Sequence, residues 1–187
     1  MQFYNVKSVE ETWAIINEMV KPLQETVTLP LPQARGHVLA EECVAREDVP
    51  GFDRSTVDGY AVKAEDTYGS SESSPQFLEV VGEIKMGEEA RMPIKRGQAM
   101  AIPTGGMLPP GSDSVIMIEH CEDIDGLLNT YRPVAPLENV IQRGEDVRQN
   151  QVVLERGSRL RPQELGILAA LGYSEVKVTR PVKVGYL

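Results

Sequence analysis

The chain has 187 residues, of which 41% are hydrophobic and 25% charged, the composition of a folded protein large enough to bury its own core. Its 19 Lys and Arg against 28 Asp and Glu give a formal net charge of −9, which disfavours nonspecific binding to nucleic acid or to anionic membrane surfaces. The 16 glycines and 13 prolines indicate many turns and short strands.

The two cysteines and the N-terminus favour a cytoplasmic protein. Cys43 and Cys121 lie far apart and not in metal-ligand spacing, so we expect two free, buried thiols in a reducing compartment. Met1–Asn5 shows no basic region followed by an apolar stretch, so we expect no secretory signal. No apolar run has the length needed to cross a bilayer.

A helix is predicted near the N-terminus. Ser8–Glu11 has the sequence of a capping box, in which the Ser8 hydroxyl accepts from the Glu11 amide and the Glu11 carboxylate reaches back. Apolar residues then recur at helical spacing until Pro22, which ends the helix. These apolar residues are Val9, Trp13, Ile16 and Val20. We expect them to pack into the core rather than to bind a cofactor.

The next segment, Leu29–Pro32, alternates leucine with proline. Because each proline removes a donor from a hydrogen-bond ladder, this segment is predicted to be an extended link and not a central strand. His37–Ala40 is strand-like.

Short apolar runs alternate with glycine-containing turns from Pro50 to about Arg132. This pattern predicts many short strands in a small barrel or sandwich. The predicted strands are Tyr60–Val62, Phe77–Val81, Ala99–Ile102 and Ser114–Ile118.

The last third predicts a helix and a strand. Pro162 is suited to a helix start, and Gly172 is suited to a left-handed cap at its end. Glu175–Thr179 alternates polar and apolar residues as a strand does. Val182–Leu187 is typical of the first strand of a further domain, so we expect the chain to be truncated.

Phe52–Val62 has the highest density of candidate functional residues. Asp58-Gly59 is a turn dipeptide, because glycine allows a positive φ, and on that interpretation it only starts a strand. On the alternative interpretation, Asp53 and Asp58 project from a rigid turn where a carboxylate can hold a hard cation. The spacing by itself favours the turn.

Two further segments could contribute to such a site. In Thr104-Gly105-Gly106 the backbone amides could turn toward an anion and the Thr104 hydroxyl could donate to it, or the segment could be a plain hairpin loop. In Arg143–Val147 two carboxylates, those of Glu145 and Asp146, suit Mg²⁺ or belong to an acidic surface turn.

Glu119–Asp123 offers several metal-ligand residue types side by side. In a strand, neighbouring side chains point to opposite faces, so at most Glu119 and Cys121 could converge. We therefore interpret this segment as a solvated strand end and not as a metal site.

Four segments in a fixed order resemble one known family. They are Phe52–Ala61, Thr104–Val115, Arg143–Asp146 and Arg156–Ala169. Together they resemble the molybdopterin molybdenumtransferase family, to which bacterial MoeA and the E domain of gephyrin belong. The resemblance runs from about Leu29 to the last residue.

The resemblance implies an enzyme of molybdenum cofactor biosynthesis. Family members are homodimers that insert molybdenum from molybdate into adenylylated molybdopterin, with Mg²⁺, and release AMP and the finished cofactor. The adenylylated substrate could be handed over by the adenylyltransferase of the same pathway. The family's site lies between two subunits, so this chain would supply its cation-binding half and would be inactive alone.

The resemblance also implies an α+β fold. Residues 1–45 and 137–187 would form an extended α/β region from two separated stretches of chain, and residues 46–136 would form an inserted, β-rich, barrel-like domain. The family's next motif, serine-threonine-glycine-aspartate-glutamate, would begin after Leu187.

The family's catalytic positions match Asp58, Thr104 and Asp146. By this resemblance, Asp58 and Asp146 would position Mg²⁺ or ordered water, and Thr104 would donate to the substrate. Substrate contacts would also come from Ser55 and Gly105.

The chain departs from the family at two positions: Arg54 stands where many members have asparagine, and Gly106 where many have alanine. Both changes leave the carboxylate and hydroxyl positions intact, so they affect the shape of the ligand that the site accepts more than the chemistry of the site.

The charge of the chain agrees with the expected division of labour. Molybdate, the pterin phosphate and the AMP diphosphate are anions, and a chain of net charge −9 is expected to bind anions weakly. Two other functions remain open: a noncatalytic dimerisation or scaffold module of the same fold and, without the resemblance, an acidic β-rich domain that binds an unknown ligand.

Overall fold

The computed structural model describes residues 6–21, 23–182 and 185, and these residues form a mixed α+β structure, as expected. The helices and strands follow in chain order as α1 (Val9–Met19), β1 (Thr26–Pro30), β2 (Cys43–Val44), β3 (Arg54–Ser55), β4 (Gly59–Val62), β5 (Gln76–Glu83), β6 (Gln98–Ile102), β7 (Ser114–Met117), β8 (Cys121–Ile124), β9 (Leu127–Thr130), β10 (Val140–Ile141), β11 (Val152–Leu154), α2 (Pro162–Ala170) and β12 (Glu175–Thr179). No helix among the described residues has the length and apolar character needed to span a membrane.

The chain divides into two compact units. The α/β unit contains the residues up to Val44 and those from Val152 onward, and the β-rich unit runs from Ala45 to Gln151. Residues 137–151, which the resemblance placed in the α/β region, belong to the β-rich unit. The reason is strand pairing, because β10 pairs with β3 in an antiparallel register.

The α/β unit is built on two small antiparallel pairs, β1 with β12 and β2 with β11. α2 begins at Pro162 and ends before Gly172, whose φ is 78°, as the sequence predicted. The pairs and α2 enclose one apolar cluster, whose buried members are Leu31, Ala34, Leu39, Cys43, Leu160, Leu168, Val176 and Val178.

The leucine–proline segment is not a central strand, as predicted, but its first half is a strand and not a link. Leu29 and Pro30 belong to β1 and lie opposite Val176 and Glu175 of β12. The proline is tolerated because β1 is in a two-stranded sheet and ends at Pro30, so no second ladder requires the missing N–H. The strand predicted over Val182–Leu187 lies largely outside the described residues.

The capping box of α1 is confirmed, but the predicted burial of its apolar stripe is wrong. The Ser8 hydroxyl accepts from the Glu11 amide at 3.1 Å, and the Glu11 carboxylate accepts from the Ser8 amide at 2.8 Å. No residue of α1 is buried by the described part of the chain, and Trp13 is 59% exposed. Helical periodicity identifies an apolar face but does not say which element covers it. Pro22, the predicted stop, is outside the described residues.

The β-rich unit contains a six-stranded sheet with the order β7-β4-β6-β5-β9-β8, in which only β5 and β6 are parallel. The four strands predicted in this part of the sequence are all present. Adjacent residues of β4 face two different apolar clusters, Ala61 one and Val62 the other, so both faces of the sheet are packed. The sheet curls as a half-barrel.

Gly59 is required for a reason other than the predicted one. Its φ is not positive, so it is not needed for a left-handed turn. A Cβ at this position would instead lie 1.8 Å from the carbonyl oxygen of Ile116, in the paired strand β7. Gly59 therefore permits the close approach of β4 and β7.

Candidate functional site

Asp58 and Thr104 are in direct contact. Gly59 pairs with Ile102 in the β4–β6 register, which brings together the residue before β4 and the turn after β6. The Oδ1 atom of Asp58 accepts from the Thr104 amide at 2.7 Å and from the Thr104 hydroxyl at 3.0 Å. These two bonds, the amide bond first, lower the pKa of Asp58 below its ordinary value. Asp58 is therefore a carboxylate at neutral pH.

The Thr104–Gly106 turn uses its amides within the protein. The Thr104 amide donates to Asp58, the Gly105 amide to the Ser55 carbonyl at 2.8 Å, and the Gly106 amide to the Pro103 carbonyl at 2.9 Å. The turn is consequently not the cradle of free amides for an anion that the sequence suggested. Gly105 has a φ of 81°, a conformation that disfavours any side chain.

The backbone of Ser55 is hydrogen-bonded to this turn. Its hydroxyl is buried, with the residue 2% exposed, and donates to the Val57 carbonyl at 2.6 Å. Its amide donates to the Gly106 carbonyl at 3.0 Å. The Ser55 backbone therefore holds the turn in place, whereas its hydroxyl bonds Val57.

The loop Gln142–Gln149, here called the Gly-Glu-Asp loop, is held by two carboxylates. Asp53 accepts from the Arg143 amide, and Asp48 accepts from the Arg143 Nε atom, both at 2.7 Å. Asp48 also accepts from the Gln149 amide at 2.8 Å, which is the main cause that lowers the pKa of Asp48. In this loop Asp146 donates its amide to the Val49 carbonyl at 3.0 Å, and the residue is exposed.

Strand β3 connects the two loops. Arg54 lies opposite Ile141 of β10, just before the Gly-Glu-Asp loop, and opposite Met107 just after the Thr104–Gly106 turn. The Asp53 carbonyl also accepts from the Leu108 amide at 2.9 Å. Three segments that are far apart in sequence are thus brought together around β3.

The carboxylates at this site match the donor type that Mg²⁺ prefers. Among residues 6–21, 23–182 and 185, no group of three or more His, Cys, Asp or Glu could hold a metal ion. Mg²⁺ can be held by one or two carboxylates together with waters and phosphate oxygens. Asp58 uses only Oδ1 in its bonds to Thr104, and Asp146 is exposed, so each is a carboxylate of the type that such a partial donor set requires.

Asp58 also borders a cleft that the sequence did not reveal. The cleft has a volume of about 240 Å³ and is lined mainly by apolar groups; its walls include Tyr60, Glu83, Ile102, Pro103 and Ile118. Glu83 enters this cleft because of the irregular register of β5 on β6, which no local pattern in the sequence indicates.

The sequence profile of the MoeA N-terminal region (domain I and II) matches residues 7–172 of the chain. The chain belongs to the MoeA family. It is 31% identical over 187 aligned positions to the molybdopterin molybdenumtransferase of Staphylococcus epidermidis, covering 96% of this chain and 45% of the relative. It is 32% identical over 161 positions to the enzyme of the same name from Staphylococcus aureus, covering 86% and 38%.

A solved structure of the same family shares the fold. The molybdopterin biosynthesis MoeA protein from Pyrococcus horikoshii OT3 has a TM-score of 0.84 and 39% sequence identity, over 91% of this chain and 45% of that chain. This MoeA-family chain thus spans less than half the length of the relatives that it matches.

The net charge of this MoeA-family chain resides in its β-rich unit. Between Ala45 and Gln151 there are 19 of the 28 Asp and Glu but only ten of the 19 Lys and Arg, which alone gives the net charge of −9. The remainder of the chain is balanced. The unit that carries Asp58, Thr104 and Asp146 is therefore strongly acidic, and an anionic ligand there requires a compensating cation.

Proposed function

We propose that the chain is the N-terminal part of an enzyme that inserts molybdenum from molybdate into adenylylated molybdopterin, a cytoplasmic step of molybdenum cofactor biosynthesis. Relatives named molybdopterin molybdenumtransferase support the reaction. The observation that carries the proposal is the ionised Asp58, fixed by two bonds to Thr104 and joined through β3 to the loop of Asp146.

Asp58 and Asp146 would hold Mg²⁺. When bound, Mg²⁺ would neutralise the diphosphate oxygens of the substrate and assist release of AMP. The chain's own contribution is an ordered carboxylate: the Thr104 bonds keep Asp58 charged and restrict its rotation, so it does not need to be reorganised when the substrate arrives.

Thr104 would bind the substrate through its hydroxyl. A hydroxyl has one proton, and in this structure that proton is donated in the hydrogen bond to Asp58. Donation to the substrate therefore requires the Asp58–Thr104 bond to exchange, whereas acceptance from the substrate does not. Gly105 and Ser55 would act on the substrate by holding the turn, through the bond between the Gly105 amide and the Ser55 carbonyl.

The other half of the site would come from a second subunit. The anionic substrates need cations that the acidic β-rich unit has in short supply, and an intersubunit site would provide them. The exposed apolar face of α1 supports a homodimer, because such a face is stabilised when a partner covers it. The adenylyltransferase of the pathway would supply the substrate. Nucleic acid and membranes would not be partners.

Removing each carboxylate tests this proposal. In the full-length protein, Asp58→Asn and Asp146→Asn should each lower molybdate-dependent release of AMP by about 10²-fold or more. Glu72→Gln, which removes an exposed acidic group from a loop of the same unit, is the matched control and should retain the wild-type rate. Wild-type rates in both aspartate variants would refute the catalytic assignment.

A noncatalytic dimerisation or scaffold module is the second candidate, favoured by the same exposed face of α1. Sedimentation of the chain tests the dimer that both candidates share, and release of AMP distinguishes them. A dimer whose full-length form releases no AMP from adenylylated molybdopterin with Mg²⁺ and molybdate would favour the scaffold, whereas a strict monomer at high concentration would contradict the dimer in both proposals.

A further inference from the structure

Arg54 lies between the two loops of the candidate site. Its strand has Ile141 on one side and Met107 on the other, so its backbone is fixed against both the Gly-Glu-Asp loop and the Thr104–Gly106 turn. Its neighbours in sequence hold the same two loops: Asp53 accepts from the Arg143 amide, and Ser55 accepts from the Gly105 amide.

The guanidinium of Arg54 has no counter-ion among the residues that the structure describes. None of the ion pairs formed by the described residues includes it, although the unit contains 19 acidic residues. Its Nε atom is buried without a hydrogen-bond partner, the one cationic nitrogen of which this is true in the described part of the chain. The residue as a whole is half-buried.

An unsatisfied buried donor is costly, because folding removes its bond to water and supplies none in return. Because no ion pair of the described residues includes Arg54, a ligand that offers an oxygen to this guanidinium does not have to displace a protein carboxylate. The planar fork of an arginine matches the paired oxygens of a phosphate or diphosphate group.

We propose that Arg54 binds a phosphate or diphosphate group of the ligand at the Asp58–Thr104 site. This inference rests on the proposed function for the choice of ligand and adds to it a cation supplied by this chain. Ionised Asp58 repels an anion, and the positive charge of Arg54, whose backbone pairs with both loops, would offset that repulsion.

Titration of the chain with inorganic pyrophosphate, followed by calorimetry, tests the inference without requiring turnover. Arg54→Gln should raise the Kd by about tenfold or more, since a charge-assisted hydrogen bond is lost. Arg54→Lys should be intermediate, because a lysine keeps the charge but not the fork. Lys95→Gln, which removes an equal charge from an exposed position of the same unit, is the control and should change the Kd less than twofold.

An equal Kd for Arg54→Gln and the wild type would overturn the inference, and so would a wild-type chain that does not bind pyrophosphate at millimolar concentration. If Arg54→Gln does not fold, Arg54→Lys decides, since a wild-type Kd in that variant contradicts a role for the fork. The proposed function fails separately: Arg54-dependent binding by this chain, together with a full-length protein that releases no AMP from adenylylated molybdopterin, would refute the enzyme and leave this site in place.

Discussion

Replacing Gly59 by alanine tests the close approach of β4 and the edge strand β7 of the six-stranded sheet. The added Cβ would lie 1.8 Å from the Ile116 carbonyl oxygen and 3.1 Å from the Cα of Met117. Both are backbone atoms of β7, so no side chain can rotate away to make room.

The expected loss of stability follows from the displacement needed. The Cβ reaches ordinary contact at 3.4 Å, so the two strands would have to separate by about 1.6 Å at this point. Such a separation breaks ladder hydrogen bonds worth about 1 kcal/mol each and opens the packing of Ala61 and Val62 on the two sheet faces. We expect Gly59→Ala to lower the free energy of unfolding by about 3–5 kcal/mol.

Urea denaturation gives the free energy, and hydrogen exchange of the β4 and β7 amides locates the loss. Gly51→Ala is the matched control, because its φ is not positive and the nearest atom to its added Cβ is the Asp48 carbonyl oxygen at 3.9 Å. The control should change stability by less than about 1 kcal/mol. A Gly59→Ala chain as stable as this control would refute the steric argument.

Three other predictions concern single side chains. Thr104→Val removes a hydrogen bond that lowers the pKa of Asp58, so carbon NMR should show that this pKa rises, and an unshifted titration would contradict the bond. The stability that ionised Asp58 contributes is present above pH 3.8 and is lost as the pH falls through its folded-state pKa. In the variant, this acid-induced loss of stability should therefore occur at higher pH. Trp13→Gln should change the free energy of unfolding of the chain by less than about 1 kcal/mol, because Trp13 is 59% exposed, whereas a loss of about 3 kcal/mol in urea would indicate a packed side chain. Burial raises the pKa of the Cys121 thiol to about 12, so alkylation near pH 8 should be at least about tenfold slower in the native chain than in urea, and equal rates would be the contrary result.

Local chemistry made several elements predictable. The capping box of α1, the start of α2 at Pro162 and the left-handed Gly172 depend on residues within one or two turns of each other. The short strands of the β-rich unit could be located because alternating apolar runs and glycine turns are local patterns as well.

The candidate site shows where such reasoning ends. The ordered motifs indicated Asp58, Thr104 and Asp146, but not that the Thr104 hydroxyl donates a hydrogen bond to Asp58. Nor did they indicate that the turn amides are already bonded, or that Ser55 is buried beneath them.

The sequence by itself determined the acidic balance, the positions of the two helices, of β12 and of four strands of the β-rich unit, and the motifs that identify the MoeA family. Only the tertiary structure decided that the apolar face of α1 is exposed, that Gly59 is needed for contact between strands, and that the buried Arg54 Nε atom has no hydrogen-bond partner in the described part of the chain. The physical reason is that burial and pairing depend on which distant residues meet. Asp58 and Thr104 are 46 positions apart, and the register of β4 on β6 brings them within hydrogen-bond distance.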